Sequence, residues 1–134
     1  MKIFRKILII ALAIILLSVS FSGCGYTSSY VAVGFVHSNT SHSASMSFYQ
    51  FKGRMVFTLR CTGSDEGRLN YTGKLESGEI KVALKQGSEM TGLFVLKDGD
   101  EVDSFVENIG TGVIYIFVES ADKSMNGSLK FDLV

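Results

Sequence analysis

The chain predicts an all-β fold, a small antiparallel β-sandwich of jelly-roll type with about eight strands, set behind an export signal and a Ser-rich tether. Three observations predict it. Beyond residue 45, apolar residues recur at alternate positions in runs of five to seven residues, the period of a half-buried strand. Clusters of Gly, Asp, Asn and Ser separate these runs at short intervals, as tight turns require. No segment beyond the first 23 residues keeps the apolar spacing of an amphipathic helix, so crossover helices for a parallel sheet are missing.

Taken in order, the first element is residues 1–23. Lys2, Arg5 and Lys6 precede an uninterrupted apolar run at 7–17, and Ser18, Ser20, Ser22 and Gly23 then bring in small side chains. This is the layout of an export signal, with a basic start retained in the cytoplasm, an apolar middle and a small-residue cleavage region. The competing reading is a transmembrane helix, which needs about 20 predominantly apolar residues. The run falls short of that unless it is extended through Phe21.

Phe21-Ser22-Gly23-Cys24 closes the segment. Here the chain resembles bacterial lipoprotein precursors, whose lipobox places a small pair and then a cysteine after an apolar residue. Ser22, Gly23 and Cys24 match it, and Phe21 stands where an aliphatic residue is usual. The resemblance implies diacylglyceryl transfer to the Cys24 sulfur and cleavage before it. The mature chain would then be lipid-anchored at a cell membrane and exposed outside the cytoplasm. Two acyl chains hold a protein firmly where one gives only reversible attachment. The alternative for Cys24 is a disulfide with Cys61, the other cysteine of the chain. If Cys24 is lipidated, Cys61 reads as a small buried hydrophobe among Val56 and Leu59.

Cleavage leaves 111 residues and removes three of the 13 basic residues but none of the 13 acidic ones, for a net charge of −3. That balance gives no footprint for nucleic acid and no polybasic patch for anionic lipid. Residues 24–45 read as lipid attachment and flexible tether, because Ser and Thr crowd 27–29 and 38–43 and bury little apolar surface. Tyr30 to Val36 is an apolar interruption, either an edge strand or a docking piece of the tether. At about 20 residues, such a segment reaches roughly 25 Å.

The domain, 46–134, holds candidate strands at 46–51, 55–61, 69–75, 80–84, 91–96, 102–106, 113–118 and 129–133. Lys52-Gly53-Arg54 separates the first two, and Asp98-Gly99 and Asn126-Gly127 are strong turn signals. Residues 113–118 are apolar on both faces, as in a central strand. The chain has no proline, which leaves lysines such as Lys81 and Lys85 to guard sheet edges. The run Val113-Ile114-Tyr115-Ile116-Phe117-Val118-Glu119, followed by Asn126-Gly127-Ser128-Leu129-Lys130-Phe131, resembles the closing hairpin of small secreted β-sandwich modules such as prepeptidase C-terminal-type domains. The resemblance supports the fold rather than an activity.

No catalytic constellation stands out. His37 and His42 lie in the Ser-rich stretch and read as solvated, with no Gly-x-Ser-x-Gly elbow to receive a base. Asp98, Asp100 and Asp103, with Glu101, gather oxygen ligands near a turn and are weak calcium candidates without EF-hand spacing. Tyr49, Tyr71 and Tyr115 are the candidate sugar platforms, though alternation marks them for packing. The expected function is a non-enzymatic binding or interaction module of the cell envelope, with no cofactor, joined to the membrane through Cys24 and facing an envelope protein or polymer. The alternatives are a small envelope hydrolase using the carboxylates at 98–103 and a structural β protein that pairs with itself.

Overall fold

The computed structural model describes residues 27–134, and every regular element among them is a strand. The eight are β1 (Ser29–Val33), β2 (Val36–Asn39), β3 (Ser43–Cys61), β4 (Leu69–Ser77), β5 (Ile80–Gln86), β6 (Glu89–Leu96), β7 (Glu101–Val106) and β8 (Gly112–Leu133). All pairings are antiparallel. The signal and Cys24 lie outside the described residues.

Two long strands organise the molecule. β3 and β8 run side by side from Ser43↔Asp132 to Cys61↔Gly112. At one end of this ladder β2 flanks β3, while β4 and then β7 flank β8. At the other end β5 and then β6 flank β8. β1 pairs with β3 from Gln50 to Arg54, where the ladder bends. The bend folds one continuous sheet over on itself, so its two halves face each other as the layers of a sandwich. Phe94 of β6 stacks at 5.0 Å on Tyr71 of β4 and lies 6.4 Å from Phe131 of β8. Phe57 and Phe131, both fully buried, meet at 6.2 Å across the same core. Burying one such ring stabilises by roughly 1.5–3 kcal/mol.

The predicted strands at 46–51 and 55–61 are one strand, as are those at 113–118 and 129–133. Both separating sequences have turn composition but serve as bends. The register passes from Phe51↔Ser124 to Gly53↔Ser120, so Ala121, Asp122 and Lys123 stand opposite Lys52 alone. This bulge turns both strands together while the ladder continues. Gly53 has φ 117°, and a Cβ there would lie 2.4 Å from the Ser29 carbonyl oxygen. Asn126-Gly127 is also spent inside β8. Asn126 takes φ 50°, and a Cβ on Gly127 would lie 2.4 Å from Phe48 Cζ, so the glycine leaves room for that buried ring. Asp98-Gly99 does turn the chain, between β6 and β7, with Gly99 at φ 77°.

The segment expected to be a tether up to residue 45 contains two strands and the start of a third. Tyr30 and Phe35 lie 4.8 Å apart and both stack near buried Phe51, at 5.8 and 6.0 Å. These rings supply the apolar burial that the Ser-rich composition conceals. The polar residues have a structural use as well. Beyond β1, the outer edge of β3 has no strand partner among the described residues. Its N–H groups donate instead to Ser28 Oγ from Val56 (2.9 Å), to Asn39 Oδ1 from Thr58 (3.0 Å) and to the Ser41 carbonyl from Arg60 (2.8 Å). Two polar side chains and a backbone carbonyl thus close an edge, a task expected of lysines. Lys81 and Lys85 do not guard an edge, because β5 lies between β6 and β8.

Candidate functional site

The bend opens a recess of about 860 Å³, within the range of clefts that take small ligands, about 300–1,000 Å³. Its rim comes from the start of β1, the β3 bend, the β4–β5 turn, the β6–β7 turn and the β8 bulge. Among the described residues its lining has no aromatic ring. Four basic side chains, Lys52, Arg54, Lys81 and Lys97, alternate with four acidic ones, Glu79, Asp98, Glu119 and Asp122.

Register builds the centre of this lining. Glu119 on β8 stands opposite Arg54 on β3 and, on its other flank, opposite Lys81 on β5. A cation, an anion and a cation therefore cross three adjacent strands in one row. Lys81 Nζ also lies 3.9 Å from Glu79 Oε1. Burial pushes the Glu119 carboxyl above the usual carboxylate range, against the opposing pull of Arg54 and Lys81. The rim is fixed by two buried serines. Ser120 Oγ donates to the Asp122 carbonyl and accepts from Ser124 Oγ at 2.7 Å, and the Glu79 carbonyl oxygen lies 3.3 Å from Ser124 Oγ as a second, longer acceptor for the same proton. This ties the β8 bulge to the β4–β5 turn.

A second polar cluster lies outside the recess. His42 Nδ1 meets Ser41 Oγ at 2.9 Å, and His42 Nε2 meets Asp65 Oδ2 at 3.0 Å. The order Ser, His, Asp has the look of a hydrolytic triad. Yet the same Asp65 oxygen accepts the Thr62 N–H at 2.6 Å and the Thr62 hydroxyl at 2.9 Å. The Thr62 N–H, ahead of the Thr62 hydroxyl and His42, holds the Asp65 carboxyl below its ordinary value. Asp65 thus latches the loop after β3 to the β2–β3 turn. His42, expected to be a solvated linker residue, is half of this latch, and His37 lies 5.0 Å from the Phe35 ring.

The acidic candidates at 98–103 are not gathered around one point. Asp98 Oδ1 accepts the Gly78 N–H at 2.6 Å and Asp100 Oδ2 accepts the Lys97 N–H at 2.8 Å, so both carboxylates shape turns. Asp103 is exposed on β7, opposite Thr72. Among the described residues, no group of three or more His, Cys, Asp or Glu side chains is placed to hold a metal ion. The tyrosines do not share a platform either, since Tyr71 is buried against Phe94 while Tyr49 is half-exposed. Cys61 is buried, its Sγ 3.8 Å from the Ile109 carbonyl oxygen. Burial, and secondarily the charge of Asp65, pushes its thiol up and away from the reactive thiolate.

Sequence reasoning missed the row of Arg54, Glu119 and Lys81. Strand pairing alone joins these distant positions, and only the outward phase of Lys81 was visible beforehand. No family model matches the chain, and no curated protein sequence matches it. Among solved structures it is similar to the Drosophila melanogaster CENP-C cupin domain, at 16% identity over 80% of this chain and 75% of that one, with a TM-score of 0.33. It is also similar to a point mutant of the family 29 carbohydrate-binding module CBM29-2, at 13% identity over 84% and 83%, TM-score 0.42. A third is TmCBM61 in complex with β-1,4-galactotriose, at 15% identity over 80% and 81%, TM-score 0.43. At these values the fold assignment rests on this chain's own strand pairing.

Proposed function

We propose that the protein is a non-enzymatic binding module of the cell envelope, held at a membrane by lipid on Cys24, with the recess at the sheet bend as its ligand site. The observation that carries the reading is Glu119. A half-buried carboxylate stands opposite Arg54 on one flank and Lys81 on the other, and titratable groups perturbed by burial concentrate at functional sites. The ligand is a charged or densely hydrogen-bonding segment of an envelope polymer. A lining with both signs of charge and no aromatic ring favours charge pairing and hydrogen bonds over stacking on sugar faces. What supports the Cys24 anchor is the basic start, the apolar run, the small residues and the cysteine of the first 24 positions.

The test is a binding titration of the lipidated full-length protein with soluble fractions of envelope polymer. Binding by the wild type, and at least a tenfold loss in Lys81→Glu with the fold intact, is the expected result. Equal binding by both proteins, or turnover of the polymer, overturns the reading.

A further inference from the structure

We infer that the outer side of the β1–β2 edge rests on the lipid surface into which Cys24 is anchored, an inference that rests on the anchored-module reading. Five residue steps separate Cys24 from Ser29, the first residue of β1. Fully extended, they span at most about 18 Å. The sheet therefore begins against the headgroup layer, instead of hanging from the roughly 25 Å tether that the Ser-rich composition suggested.

The surface delivered there is apolar. Val31, Val33, Val36 and Tyr49 are 75%, 52%, 68% and 50% exposed. Strand alternation sends Tyr30 and Ala32 toward the core and leaves Val31 and Val33 on the outer side. β2 continues the same edge. Val36 stands opposite Ser47, and the Tyr49 Cβ lies 3.2 Å from where a Gly34 Cβ would be, between the two strands. The four side chains form one strip along the border nearest the anchor. An exposed apolar strip of this kind marks an interfacial surface. The anchor supplies the rest, because holding two surfaces within so short a span gives a high effective concentration, so even a weak affinity for lipid is sufficient.

The chain has no tryptophan, so one introduced indole reports unambiguously. The experiment uses the lipidated full-length protein in vesicles of phosphatidylcholine with one quarter phosphatidylglycerol, carrying Val31→Trp, with Val36→Trp as a second reporter on the same strip. The control is Phe105→Trp, on half-exposed β7 at the border of the sheet beyond β4. Blue-shifted emission and quenching by brominated lipid at positions 31 and 36, but not at 105, is the expected result. If the mass of Cys24 shows diacylglyceryl yet the indoles at 31 and 36 read like that at 105, the membrane-resting surface is overturned and the anchor stands. If Cys24 carries no diacylglyceryl and the protein does not float with vesicles, both readings fall.

Discussion

Asn39 holds Thr58 by both ends of its amide: Oδ1 accepts the Thr58 N–H at 3.0 Å and Nδ2 donates to the Thr58 carbonyl at 2.8 Å. One side chain thereby imitates a residue of a neighbouring strand along an edge that no described strand covers. Asn39→Ala is expected to destabilise the domain by about 1–2 kcal/mol, from two lost hydrogen bonds at a solvent-accessible edge. It should also favour edge-to-edge association. Urea unfolding gives the first effect and concentration-dependent mass the second, and a monomeric variant of unchanged midpoint would contradict the assignment.

The paired serines of the bulge are fully desolvated. Ser124→Ala leaves the Ser120 hydroxyl without its 2.7 Å partner and removes the bond to the Glu79 carbonyl. A loss of about 1–3 kcal/mol is expected, along with weaker polymer binding, since the same bonds shape the recess. Thermal unfolding and the binding titration on one sample separate the two effects.

Glu119 gives a stability signature of unusual sign for a carboxylate. Its folded pKa is raised by burial, so the folded state holds this proton more tightly than the unfolded state. The associated stability is present below the unfolded pKa and is lost as pH rises through the folded value. Glu119→Gln removes that loss. The variant should gain on the wild type as pH rises from the acid range to neutrality while binding less polymer, a stability gain paired with a functional loss. Wild type and variant unfolding in parallel across this range would contradict it.

Asp65 runs the other way. Its folded pKa is lowered, first by the Thr62 N–H, so its contribution is present above the unfolded value and disappears as pH falls through the folded one. Asp65→Asn should therefore lower the unfolding midpoint at neutral pH and flatten the acid limb of the stability profile. Ser41→Ala, which removes a hydroxyl from the Ser41–His42–Asp65 chain, should leave polymer binding unchanged. Loss of an activity in that variant would reinstate the hydrolytic reading.

Much of the strand content was legible because alternation is a local property: Ile80, Val82 and Leu84 face inward and Lys81 outward, as their spacing requires. Continuity through the bends was not legible. Lys52-Gly53-Arg54 and Asn126-Gly127 have the chemistry of turns, and only a partner strand that continues past them makes the first a bulge and the second an interior stretch of β8. The Ser-rich segment misled for a related reason, since the use of Asn39 and Ser41 as edge closures depends on Thr58 and Arg60, which composition cannot place beside them. The recess was illegible because Arg54, Lys81 and Glu119 become neighbours only through register.

β3 and β8 each pass from one half of the sandwich into the other. Neither half therefore owns a complete set of strands, and neither can open alone without tearing a strand that the other still uses. The molecule is expected to unfold in a single all-or-none step, without a half-open species. Its defining ladder also joins residues from opposite ends of the described chain, which slows folding. During folding the vulnerable interval is the one before β8 joins the sheet, and afterwards a protease meets no detachable part.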